Sequence, residues 1–177
     1  MKLRFEEVNK ENLEIAVQIQ NEIFPLEDGR ANFIEGIENN PYRKEMINFI
    51  IYEKKEPIGV VGLYSYNEYP NDAWLSWFGI LEKFRNKGYG LLSFDFFESL
   101  AKEKGYLSIR VYTSSEFDVA IKLYQNKKMI SERYNNKLEC AEINKETIIF
   151  SKSLTNKKID LWNNKYLELT SQIEKEK

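Results

Sequence analysis

Arg85-Asn86-Lys87-Gly88-Tyr89-Gly90 decides how this chain is read. The stretch lies between an apolar, strand-like run, Trp74 to Ile80, and a helical one from about Leu91 to Lys104. A strand that turns through two glycines into a helix leaves backbone N–H groups unpaired at the helix start, and the helix dipole adds positive character there. Phosphate and pyrophosphate suit such a turn. Glycine lets the main chain approach an anion closely, and Arg85 and Lys87 bring positive charge to the same place. A phosphorylated ligand is therefore expected here.

Working outward, Lys2 to Val8 reads as a first strand, and Asn9 is expected to cap a helix from about Lys10 to Ile23. The run Phe24 to Gly29 breaks that helix, and a second one spans about Arg30 to Glu38. Strands follow at Ile47 to Glu53 and Ile58 to Tyr66, with a loop at Asn67 to Asp72 before the strand at Trp74. Beyond Gly105, Leu107, Ile109 and Val111 alternate with polar residues in another strand. A short helix at about Asp118 to Asn126 and closing strands near Ile130 to Glu139 and Thr147 to Leu154 complete the order β-α-α-β-β-β-α-β-α-β-β. The expected fold is α/β (α+β), with a mixed, mostly antiparallel central sheet flanked by helices. Residues 1–154 form the domain. Residues 155–177 are expected to be a C-terminal amphipathic helix, because Ile159, Trp162, Tyr166, Leu169 and Ile173 recur on one helical face. That stripe either covers its own domain or meets a partner subunit, as in a homodimer.

Bulk properties exclude several classes. The chain has 177 residues, one domain's worth, and a net charge of −2 without a basic block, so nucleic acid is not the expected partner. No run is long and apolar enough to cross a bilayer, and Met1 to Glu6 lacks a signal-peptide core, so the expected compartment is the cytoplasm and no membrane partner is expected. There is no histidine, which removes Ser-His-Asp and Cys-His mechanisms and His-ligated metals. Cys140 is the single cysteine and is read as structural. No metal is expected.

Three phosphate-binding patterns compete at the glycine turn. A P-loop needs Gly-Lys-Ser/Thr after its spacer, and nothing like it follows Gly90. A dinucleotide fingerprint needs a third glycine where Ser93 stands. The third fits: Arg-x-x-Gly-x-Gly, preceded by Phe78-Gly79-Ile80-Leu81-Glu82-Lys83-Phe84, resembles the acyl-CoA signature of the GNAT N-acetyltransferase superfamily. The segment Ala120-Ile121-Lys122-Leu123-Tyr124-Gln125 resembles that family's late-helix Ala-x-x-Leu-Tyr, and the element order resembles its fold.

The resemblance implies acetyl-CoA as cosubstrate and an amine as acceptor, with direct transfer in a ternary complex. It implies that the amides of Asn86, Lys87, Gly88, Tyr89, Gly90 and Leu91 cradle the pyrophosphate, that Arg85 braces the loop or reaches a phosphate, and that main chain of Phe78, Gly79 and Ile80 pairs with the pantetheine arm. A backbone N–H near Ile80 would act on the oxyanion, and Tyr124 would contact the coenzyme and protonate the departing thiolate. Two positions depart from the family pattern: Phe117 stands where an Asn often begins the late helix, and Lys128-Met129 replaces a Gly-Phe pair. The position of the family's general-base glutamate is occupied by Trp74, leaving Asp72 and Glu68 as candidate bases. Glu22, Glu27, Asp28, Glu35 and Glu38, with Tyr64, Tyr66, Tyr69 and Trp74, are candidates to hold a cationic amine, against the reading of a solvated acidic helix face. Two other activities stay open: acetylation of protein lysine or N-terminal amines, and a non-catalytic acyl-CoA-binding module.

Overall fold

The computed structural model describes residues 2–38, 40–134 and 147–167. In chain order these form β1 (Leu3–Glu7), α1 (Leu13–Ile23), α2 (Gly29–Ile37), β2 (Arg43–Glu53), β3 (Glu56–Tyr66), β4 (Tyr69–Ile80), a single 3-10 turn (Glu82–Phe84), α3 (Tyr89–Glu103), β5 (Ser108–Ser114), α4 (Asp118–Asn126), β6 (Ile130–Arg133) and β7 (Thr147–Ser153). The seven strands make one sheet in the order β1-β2-β3-β4-β5-β7-β6. Every neighbouring pair is antiparallel except β4 and β5. The expected mixed, mostly antiparallel architecture is the one observed.

Backbone chemistry sets the helix boundaries. Asn9 does not cap α1; its Oδ1 accepts from the amides of Glu11 and Asn12 at 2.8 and 3.2 Å, a polar turn that delays the helix to Leu13. Asp28 does cap α2, accepting from the Ala31 amide at 3.1 Å.

The two faces of the sheet carry different cargo. Alternation along β2, β3 and β4 puts Asn48, Gly62 and Ser76 in one row. α2 lies over that row, since a Cβ on its Gly36 would sit 2.8 Å from Asn48 Nδ2. α3 covers the other face, where Phe96 stacks on Phe5 at 3.9 Å and meets Phe49 edge-on at 5.0 Å.

Two sequence expectations are corrected. The region 67–72 is not a loop: β3 and β4 meet in a tight hairpin with Tyr66 opposite Tyr69. Pro70 and Asn71 sit in an irregular stretch of the ladder, and their poor strand propensity hid the strand. The tail is not helical over residues 155–167. Asn163 and Asn164 adopt left-handed φ of 55° and 58°, which ends any helical continuation. Trp162 instead turns inward, wholly buried against the α1–α2 face. Its amide and that of Asn163 donate to the Glu132 carboxylate at 2.8 and 3.0 Å, and its indole N–H donates to the Lys165 carbonyl at 2.9 Å. Residues 155–167 of the tail thus pack on their own domain. Leu169, Ile173, Cys140 and the outer half of the strand expected at Ile130 to Glu139 lie outside the described residues.

Trp162→Ala is expected to cost about 3–5 kcal/mol, as for other large-to-small core changes. Leu161→Ala, at a side chain 39% exposed, should cost less than about 1 kcal/mol. Urea unfolding midpoints of the two variants check this.

Candidate active site

The site is made by a failure of pairing. β4 and β5 are held together only at Asp72·Ser108, Ala73·Ile109 and Trp74·Arg110, after which they part. A buried ion pair fixes the closed end. Arg110 Nε donates to Asp72 Oδ1 at 2.9 Å, its Nη1 donates to Ser151 Oγ at 2.8 Å, and Ser108 Oγ donates to the same carboxylate. On its other side β4 carries a bulge, since Ser76 faces Gly62 and Gly79 faces Val60, leaving Trp77 and Phe78 opposite Val61 alone. Leu81 then bonds back to β3, donating to the Ile58 carbonyl at 2.8 Å. By strand alternation the N–H and C=O of Ile80, and of Phe78 two residues before it, turn into the gap left by β5.

The glycine turn stands at the open end of this gap. Gly88 is left-handed, with φ of 82°, and so is Asn86 at 62°, a residue that tolerates this region better than most. α3 starts with Gly88 as its N-cap and no side-chain cap. Its first intrahelical bond is Leu92 N–H to the Gly88 carbonyl, so the amides from Asn86 through Leu91 have no partner among the described residues. A Cβ on Gly90 would meet only Leu123 Cδ1 at 3.6 Å, so packing does not require the glycine there. Arg85 takes the bracing role: its Nε donates to the Ile80 carbonyl at 2.9 Å, tying the turn to the end of β4. Tyr89 anchors the other side, its hydroxyl bonded to the Glu53 carboxylate at the end of β2.

Tyr124 approaches from the α3–α4 face. Its ring lies 5.3 Å from Phe150, the β7 partner of Val111, and 5.9 Å from Phe94 of α3. Val111 is the first β5 residue beyond the last pair with β4, so Tyr124 sits level with the apex of the split. Burial pushes its phenol above the ordinary tyrosine value, so the hydroxyl stays protonated and able to donate through the neutral range.

The structure does not bring the candidate bases to this site. Asp72 is committed to Arg110 and Ser108 at the closed end, six strand residues, or roughly 20 Å, from Phe78. Glu68 is farther away, exposed in the β3–β4 turn, where its carboxylate accepts from Tyr69 at 3.2 Å. The acidic set expected to grip an amine also disperses. Glu35 accepts from Arg43 and Asn40 at 2.8 and 2.9 Å, Asp28 caps α2, and Glu22, Glu27 and Glu38 are exposed. Tyr64 and Tyr66 present their faces to the chain's own Arg43, at 4.5 and 4.9 Å. Tyr69 packs edge-on against Trp162 at 4.8 Å.

Sequence reading missed the aromatic content near the split. Gly79 lets α1 close onto β4, since a Cβ there would lie 2.6 Å from Ile23 Cγ2. Phe24 then meets Trp77 edge-on at 5.4 Å. The signal was the pair of aromatics flanking an unexplained glycine in Trp77-Phe78-Gly79.

The model of the acetyltransferase (GNAT) family matches residues 13–129, which include the split, the glycine turn and Tyr124. The chain belongs to this family. Solved structures share the fold at low identity. The ribosomal-protein-S18-alanine N-acetyltransferase of Escherichia coli superposes with a TM-score of 0.69 at 12% identity, over 91% of this chain and 99% of that one. A Bacillus subtilis acetyltransferase in complex with CoA gives 0.66 at 16%, over 87% and 100%. A GNAT acetyltransferase from Elizabethkingia anophelis with acetyl-CoA bound gives 0.65 at 18%, over 86% and 98%. No curated protein matches the chain by sequence. Among the described residues of this GNAT chain, no helix is long and apolar enough to cross a membrane.

Removing one partner of a buried ion pair leaves the other charge stranded. Asp72→Ala is therefore expected to lower stability by about 3–5 kcal/mol, measured by chemical denaturation.

Proposed function

We propose that this protein transfers the acetyl group of acetyl-CoA to the primary amine of a small molecule in the cytoplasm, by direct attack in a ternary complex. The observation that carries this reading is the run of unpartnered amides from Asn86 to Leu91 at the mouth of the β4–β5 split, with the Tyr124 phenol at its apex. A pyrophosphate suits those amides and the α3 dipole. The pantetheine arm would then run down the gap, taking the place of β5 beside the main chain of Phe78 and Ile80. That course carries the thioester past the bulge at Trp77 and Phe78 toward the apex, where Tyr124 stands.

The chemistry follows from these placements. The free amine attacks the thioester carbonyl, forming the C–N bond. A main-chain N–H of the Phe78–Ile80 stretch stabilises the oxyanion. The C–S bond then breaks, and the thiolate takes the proton held by Tyr124. The amine's surplus proton passes to solvent, since neither Asp72 nor Glu68 is within reach, and solvent returns a proton to the Tyr124 phenolate, restoring the phenol. Orientation of the two reactants supplies much of the acceleration, about 7–11 kcal/mol in well-aligned systems.

Calorimetric titration with acetyl-CoA, using ATP and NAD as controls, tests the reading. Selective binding of acetyl-CoA is expected, and no binding by folded protein would overturn it. Binding without acceptor-dependent thiol release would instead indicate an acyl-CoA-binding module. Gly88→Asp should abolish that binding by placing a carboxylate where phosphates sit. Tyr124→Phe should lower kcat about 10²–10⁴-fold with little change in coenzyme affinity, if the phenol is the acid.

The pH profile offers a separate check. Because burial raises the Tyr124 phenol, its deprotonation should produce no falling limb in kcat near the ordinary phenol value of about 10. A limb at about pH 10 that disappears in Tyr124→Phe would contradict the raised phenol while keeping Tyr124 as the acid.

A further inference from the structure

The acceptor's chemical class can be read from the α1–α2 face of the split, on the assumption that the acetyltransferase reading above holds. Tyr124 reaches the apex from the α3–α4 face, so the amine must arrive from the opposite one. Trp74 and Arg110 are register partners in parallel strands and point to the same face, as do Ser76 and Tyr112 two residues on. Trp74 of β4 meets Tyr112 of β5 across the apex at 6.2 Å, with their ring planes 64° apart. Trp162 of the tail supports Trp74 from behind, edge-on at 4.9 Å. Further along β4, the bulge turns Trp77 to the same side, where it meets Phe24, the residue just after α1, at 5.4 Å and 66°.

The approach to the thioester is therefore bounded by two edge-to-face aromatic pairs. One spans the apex, and the other lies three residues along β4, roughly 10 Å away. Phe24, Trp77 and Tyr112 each keep part of their surface in solvent, and Leu26, two residues past Phe24, is 98% exposed. Rings left partly wet beside a reaction centre are best covered by another ring, which can add offset or edge contacts to both pairs. Of the acids that could have held a polycation, Glu35 is bonded to Arg43 and Asp28 caps α2, while Glu22, Glu27 and Glu38 stay exposed on the surface.

We infer that the acceptor is a primary amine attached to an aromatic ring through a short chain, rather than a polyamine or a simple alkylamine. The ring lies between Tyr112 and the Phe24–Trp77 pair, with the wholly buried Trp74 backing Tyr112. The short chain then carries the nitrogen to the carbonyl carbon.

The test uses the full chain with acetyl-CoA, following free-thiol release with 2-phenylethylamine, tryptamine, n-butylamine and spermidine, alongside calorimetric titration of acetyl-CoA. The expected result is a kcat/KM at least tenfold higher for the two aromatic amines than for the other two. Trp77→Leu, which keeps apolar bulk but removes the ring, and Phe24→Ala should each raise the KM for 2-phenylethylamine about tenfold without changing the Kd for acetyl-CoA. Equal or better use of n-butylamine or spermidine overturns the inference and leaves the acetyltransferase reading standing. So does acetyl-CoA binding with no turnover of either aromatic amine. Absence of acetyl-CoA binding in folded protein removes both.

Discussion

Everything proposed for this protein depends on the short parallel seam between β4 and β5. Its three register pairs hold the two halves of the sheet together, and the Asp72–Arg110 ion pair with its serine partners ties the first of those pairs to the last. A longer seam would close the sheet and leave no main chain for a ligand to pair with. A shorter one would let the halves drift and lose the register between Tyr124 and the bulge. Desolvating two charges is costly, and such a pair adds little net stability over an apolar substitute. Its contribution here is position: it holds β4 and β5 in register across the seam.

The two faces of the split are supported differently. On the α3–α4 side, Phe94, Phe150 and Tyr124 pack as ordinary apolar core, which both orients the phenol and raises its pKa. On the other side the support comes from distant sequence. The tail returns to place Trp162 behind Trp74, and the Arg110 guanidinium lies 5.3 Å from the Trp162 ring. The ion pair that fixes the seam and the indole that backs the proposed acceptor wall are thus in contact through one arginine.

Much of this was legible from the sequence because it is encoded locally. Glycines at a left-handed turn, alternation in strands and the Asp118–Asn126 helix are read within a few residues, and each appears where expected. What was not legible depends on partners far along the chain. Asp72 looks like a free loop acid until Arg110 is seen 38 residues away. Tyr64 and Tyr66 look like a cage for a ligand's cation until Arg43 fills it. The tail has a helical stripe, but Asn163-Asn164 takes left-handed geometry that no periodicity reveals. Strand β4 was truncated because Pro70 and Asn71 mimic a loop while β3 holds them in the sheet.

The proposed phosphate cradle consists of main-chain amides, with the Arg85 and Tyr89 side chains turned to bracing. Recognition of this kind is written in backbone shape, so most letters of the turn can drift without erasing it. Only the positions that set the curve or must stay bare are held in place. Such a site can survive long divergence while whole-chain identity falls to the 12–18% seen against the structures that share this fold. The proposed acceptor wall, built of side chains, has no such protection, and a change of one ring there would alter the molecule modified without touching the cradle.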